Sequence, residues 1–183
     1  MLLPRPYPTH YVSRWTMKDG TEVLIRPICP DDAPLLVTFH MTLSEHSVYF
    51  RYFQIIALRQ RIAPARLARI CHVDYDRDMV LVVEQQEPLT QMPCILAVGR
   101  LSKVDATDTA EFGIVVSDRC HGRGLGKELM QRLIQVGRDE HLRAVMADIH
   151  PDNLAMLRIC RGMGFQLMRS TSDEQMIHTI FDL

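Results

Sequence analysis

Apolar and polar positions follow first the period of a strand and then that of a helix along most of this chain. Residues 15–26 carry strand-like segments on either side of Lys18-Asp19-Gly20, which predicts a short hairpin around an Asp-Gly turn. Pro27 and Pro30 end the second strand. Asp31 or Asp32 can cap a helix whose first turn accepts Pro34 and which runs through Leu35, Leu36 and Phe39. Ser44 is the candidate cap of a second helix, with Val48, Tyr49, Tyr52 and Phe53 at helical spacing. Residues 64–71 predict a third, with Leu67 and Ile70 on its apolar side. Strands are then expected at 79–84, 94–101 and 110–116. Over 124–140, Leu125, Leu129, Met130, Leu133, Ile134 and Val136 keep the helical period, with Glu128, Gln131, Arg132, Gln135 and Arg138 opposite. A strand at 144–149, a helix at 153–161 and two closing strands at 165–168 and 176–181 complete the chain. The pattern is that of one mixed α/β domain over residues 11–183, preceded by an irregular lead-in at 1–10.

Composition narrows the functional classes. At 183 residues the chain can bury a substantial core, and its 47% hydrophobic and 23% charged residues are ordinary for a folded domain. Lys and Arg total 21 against 22 Asp and Glu, a formal charge of −1, which gives no electrostatic case for nucleic acid or an anionic membrane. No apolar run approaches a membrane span, and residues 1–8 lack the continuous apolar stretch of a signal peptide. Cys29, Cys71, Cys94, Cys120 and Cys160 are odd in number and scattered, with no metal-ligand spacing. Free thiols in a reducing cytoplasm and no bound metal are expected.

The chemistry-bearing segment is His121-Gly122-Arg123-Gly124-Leu125-Gly126-Lys127, between a strand and an amphipathic helix. Unpaired N–H groups at a helix start, together with the positive end of its dipole, attract anions. Alternate glycines let the backbone approach a bulky one, and Arg123 and Lys127 add charge. The loop is not a P-loop, because Glu128 stands where Ser or Thr is required, and the third glycine comes one residue early for a dinucleotide fingerprint. A tight turn without a ligand is the alternative on loop chemistry alone.

Here the chain resembles the GNAT superfamily of acyl-CoA N-acyltransferases. Their pyrophosphate loop reads Gln/Arg-x-x-Gly-x-Gly/Ala at the same junction; Gly124 and Gly126 match, and His121 replaces the usual Gln or Arg. A second signature, an Asn opening a helix that ends in Gly-Phe, is matched by Asn153 and Gly164-Phe165. Ile25-Arg26-Pro27, Tyr49-Phe50-Arg51-Tyr52-Phe53, Asp74-Tyr75-Asp76 and Ala110-Glu111-Phe112 look like the acetyltransferase domain of bacterial protein lysine acetyltransferases. The resemblance implies a single GNAT-type domain with a mixed, mostly antiparallel sheet flanked by helices. It implies acetyl-CoA as co-substrate, with the pyrophosphate on residues 121–127 and Asn153 contributing. Backbone groups of Ile114, Val115 and Val116 would hold the pantetheine arm, and Gly113 would leave space for the acyl group. It implies Glu111 as general base for a protein lysine; a small amine as acceptor, or a non-catalytic acyl-CoA sensor, are the alternatives. Monomer and homodimer are both compatible.

Other residues read as structural. Cys160 stands near the position where many members carry an acidic Tyr, but an unpaired Cys on a helix face is more often core, and the general acid is left unassigned. Arg51 reads as a helix-surface arginine beside core aromatics, with contact to substrate or cofactor as the alternative. The histidines at 40, 46, 72, 141, 150 and 178 share no spacing.

Overall fold

The computed structural model describes residues 5–169 and 175–183. Eight strands form one sheet: β1 (Ser13–Thr16), β2 (Glu22–Pro27), β3 (Asp78–Gln86), β4 (Pro93–Lys103), β5 (Thr109–Val116), β6 (Ala144–Ile149), β7 (Gln166–Arg169) and β8 (Ile177–Asp182). Their spatial order is β1-β2-β3-β4-β5-β6-β8-β7. Every neighbouring pair is antiparallel except β5 and β6. The parallel pair needs a crossover, and helix α5 (Leu125–Asp139) supplies it.

The remaining helices are α1 (Ala33–Met41), α2 (Glu45–Tyr52), α3 (Leu58–Arg61), α4 (Pro64–Cys71) and α6 (Leu154–Met163). Two apolar layers hold them to the sheet. On one face α5 buries Leu125, Leu129, Met130, Leu133, Ile134 and Val136 against Leu81, Val83, Leu101, Phe112 and Ile114, with Leu157 and Cys160 of α6 alongside. On the other, Leu36 and Phe39 of α1, Val48 of α2 and Leu67 of α4 meet Val80, Val82, Ile95 and Val115. The two-residue period of β5 therefore divides as its sequence predicts: Phe112 and Ile114 face α5, and Val115 faces α1, α2 and α4.

Local chemistry explains the element ends. Ser44 Oγ accepts the Ser47 N–H at 3.2 Å and caps α2, as expected. Asp32 does not cap α1 through its side chain. Its carboxylate accepts the Cys29 N–H at 2.7 Å and two Arg26 hydrogen bonds, because a buried anion is held best by a bidentate guanidinium. Gly164, at φ +90°, ends α6 in the left-handed conformation that glycine allows. The lead-in is tied down: Arg5 pairs with Glu140, and the Tyr7 hydroxyl donates to the Pro27 carbonyl at 2.8 Å. Helix α3 is the element that periodicity misses; four residues make one turn, too few to show a period.

Candidate active site

The sheet opens where β5 and β6 part. Their parallel pairing covers only Thr109↔Ala144, Ala110↔Val145 and Glu111↔Met146. Both strands run on, β5 to Val116 and β6 to Ile149. The Thr109 carbonyl accepts the Val104 N–H at 3.0 Å, and the Ser117 N–H donates to Leu96 at 2.8 Å. Odd residues of β5 thus turn their backbone groups toward β4, and by alternation Phe112, Ile114 and Val116 turn theirs into the gap. Of the three residues expected to hold a pantetheine arm, Ile114 and Val116 present backbone to the gap. Val115 does not: it pairs with Val98 of β4 and contributes its side chain to the core.

A cleft of about 240 Å³ occupies the opening, bordered by Glu111 to Ile114, Ala147 to Ile149, Asn153 and Met156, and by Phe50, Arg51 and Phe53 from the end of α2. Glu111 is exposed at the last paired rung, and its carboxylate has no hydrogen-bond or ion-pair partner among the described residues. Asp148 also borders the cleft, its Oδ1 2.9 Å from Nδ1 of His178 on β8. Asn153, which borders the cleft, caps α6, its Oδ1 accepting the Met156 N–H at 3.2 Å, and that bond does not use its amide NH2 group.

Past the end of β5, Gly122 and Gly124 adopt φ of +77° and +96°. Gly124 begins α5, and no side chain caps that end, so the first-turn N–H groups remain available to an anion. Lys127 is exposed beside them. Two other residues expected at the pyrophosphate have partners of their own. His121 Nε2 lies 3.0 Å from the Val116 carbonyl, and Arg123 pairs with Asp19 at 3.2 Å. Asp19 belongs to the β1–β2 turn, whose Lys18 N–H donates to the Arg123 carbonyl at 3.3 Å. A side chain at Gly124 would start 3.3 Å from Trp15, so the hairpin is the back wall of the loop. Gly126 serves packing as well: Ile159 of α6 lies 3.1 Å from where its Cβ would be.

Arg51 is a correction to the sequence reading. It is not a surface arginine: its guanidinium lies 5.0 Å from the centre of the Tyr52 ring, and a Cβ at Gly113 would sit 2.6 Å from its Nη2. The space at Gly113 is thus filled by Arg51 and is not open to an acyl group. Cys160 is fully buried, and burial pushes its thiol up to about 11, which removes it from the cleft chemistry. Sequence reasoning also missed Phe50, Phe53 and Asp148. The aromatic run of α2 is the signal that marks the first two, and nothing local marks the third.

The chain is similar to known acetyltransferases. The acetyltransferase (GNAT) domain family matches residues 22–166. The chain belongs to this family. An acetyltransferase of Pseudomonas aeruginosa is 28% identical over 174 residues, covering 93% of this chain and 89% of that protein. The GNAT domain of S. lividans PAT superposes with a TM-score of 0.85 at 27% identity, covering 97% of this chain and all of that one. Over a shorter stretch of 59 residues, 32% of this chain and 34% of the relative, the chain is 36% identical to an L-methionine sulfoximine/L-methionine sulfone acetyltransferase of Pseudomonas paraeruginosa. This GNAT domain is an acetyltransferase, and among its described residues no group of His, Cys, Asp and Glu is arranged to hold a metal ion.

Proposed function

We propose that this GNAT domain transfers the acetyl group of acetyl-CoA directly to a lysine side chain of a protein, with Glu111 as general base. The observation that carries the reading is the position of Glu111: unpartnered, exposed, and at the rung where β5 and β6 separate. The unpaired edge from Phe112 to Val116 leads from it to the glycine loop, so a thioester lying along that edge has its reacting carbon near the carboxylate and its pyrophosphate near the α5 N-terminus. Resemblance across nearly the whole chain supports the lysine acceptor.

An ammonium with a reference pKa of ~10.4 must lose a proton before attack, which costs about 4–5 kcal/mol at pH 7. Glu111 takes that proton first, and the neutral nitrogen then bonds to the thioester carbon; as the C–S bond breaks, the second proton of the amine passes to the leaving sulfur, which departs as the thiol. An N–H of Ile114 or Val116 offers a hydrogen bond to the carbonyl oxygen as it gains charge. Lys127 and the loop N–H groups neutralise the pyrophosphate, and Asn153 adds an amide donor.

The test is Glu111→Gln. It is expected to bind acetyl-CoA as the wild type does and to lose roughly 10²–10⁴-fold in turnover, read by thiol release. Unchanged turnover removes Glu111 from the mechanism. A second reading, a small amine as acceptor, is favoured by the relative named for L-methionine sulfoximine, an amino-acid derivative. Parallel panels of lysine-bearing proteins and small amines separate the two, since turnover confined to small amines excludes the protein acceptor.

A further inference from the structure

A second cavity, of about 370 Å³, lies on the α1, α2 and α4 side of the sheet. It shares Arg51 and Gly113 with the Glu111 cleft, so the two are neighbours across one guanidinium. Its apolar walls, including Leu36, Phe39, Val98 and Val115, come from the layer on that face. Its charged lining is cationic: Arg51, Arg66, Arg69 and Arg100, beside neutral His40 and Tyr52. Among the described residues no carboxylate lines it. Arg100 alone has an acidic partner among the described residues, Asp78 at 2.9 Å.

Such a wall is costly as it stands. Arg51 and Arg66 both stack on Tyr52, at 5.0 and 5.2 Å from the ring centre. Each gains from the ring, yet two like charges sharing one ring repel. The Arg66 Nε is buried with no hydrogen-bond partner among the described residues. A buried guanidinium N–H without an acceptor forfeits a charge-assisted bond, and native structures rarely leave that loss without a use. Burial and the charges of Arg100 and Arg66 push the Arg51 pKa below its ordinary value, which reports the same absence of a counter-charge. An anion in the cavity satisfies all of these groups at once.

We propose that this cavity is the acceptor's anion subsite: the amine that is acetylated carries a carboxylate, which the Arg51–Arg66–Arg69 wall binds while the amine reaches Glu111. The proposal rests on the acetyl-transfer reading and adds the chemistry of the acceptor. Spacing agrees with it. Glu111 and Gly113 are two residues apart on the same face of β5, about 7 Å at strand rise, so amine and carboxylate are separated by a short chain. The carboxylate has two possible sources, a free amino acid or an acidic residue beside a reactive lysine, and the same arginines serve both.

The experiment compares matched acceptors on the whole protein. One arm pairs free amino acids, lysine, glutamate and methionine among them, with their carboxamides. The other pairs lysine peptides flanked by Glu with the same peptides flanked by Gln. Initial rates give kcat/KM with acetyl-CoA, and calorimetric titration gives binding of each acceptor without it. In at least one arm the carboxylate member is expected to be favoured roughly tenfold or more, as a charge-assisted pair implies. That ratio is expected to collapse toward one in Arg66→Gln and Arg69→Gln, and to recover in part in Arg66→Lys. Preference in the first arm alone assigns the subsite to free amino acids; in the second alone, to acidic protein sequences. Arginine-dependent binding without turnover keeps the subsite and rejects acetyl transfer. Equal values within every pair, or a preference untouched by both Gln variants, overturns the proposal.

Discussion

His40 is 3% exposed on the inner side of α1, where its Nδ1 has no partner among the described residues and its carbonyl accepts a hydrogen bond from Arg61. Burial pushes its pKa down to about 4, and the charges of Arg61 and Arg66 push the same way. An unfolded histidine titrates near ~6.5, so the unfolded chain binds the extra proton first. The contribution of His40 to stability is thus fully present above pH ~6.5 and lost as pH falls toward 4, by up to about 3 kcal/mol. Urea unfolding of the wild type is expected to weaken over that interval. His40→Leu is expected to flatten the dependence, and an equal slope in both proteins would place its origin elsewhere.

The two left-handed glycines of the loop carry different loads. At Gly122 nothing lies within 4 Å of a would-be Cβ, so Gly122→Ala meets only the backbone penalty, about 1 kcal/mol. At Gly124 the same penalty is joined by the Trp15 and Lys18 side chains of the hairpin. Gly124→Ala is expected to cost about 2–4 kcal/mol and to weaken acetyl-CoA binding. Denaturant midpoints of the two variants check the order, and equal midpoints would mean that the hairpin yields freely. The loop was legible because its glycines, its following helix and the Asn153 helix are all local patterns. The hairpin behind it was predicted as an element, but no period tells which distant segment Trp15 touches. Arg51 failed for the same reason: a guanidinium against Gly113 joins residues sixty apart in sequence, and the helical pattern alone put it on the surface. The parting of β5 from β6 was equally hidden, since each strand reads as an ordinary apolar run.

Across the whole molecule, Arg26 joins three parts of the chain. It pairs with Asp32 at 2.6 Å before α1 and with Glu84 at 2.7 Å on β3, and all three are largely buried. Burial pushes the Asp32 carboxyl up, but Arg26 and the Cys29 N–H outweigh it and hold the pKa below its ordinary value. That stability is present above pH ~4 and lost as pH falls through the lowered value. Arg26→Met leaves two buried carboxylates without a cation and is expected to cost about 3–5 kcal/mol. Arg14→Ala, by contrast, breaks a 3.9 Å pair whose side chains are 82% and 70% exposed and is expected to change stability by less than about 0.5 kcal/mol. Thermal unfolding of the two variants measures the difference; similar losses would argue against the triad as a tie between β2, β3 and α1.

The three rungs that join β5 to β6 also divide the sheet into five strands and three. Between the parts, beyond Glu111, no strand completes the hydrogen bonding, and α5 and α6 bridge them from one side. A thioester arm laid in that seam would act as a temporary ninth strand: its amides would pair with backbone that the protein cannot pair for itself. Substrate binding would then be partly an act of sheet assembly, and the stiffness of this domain would depend on how much acetyl-CoA surrounds it.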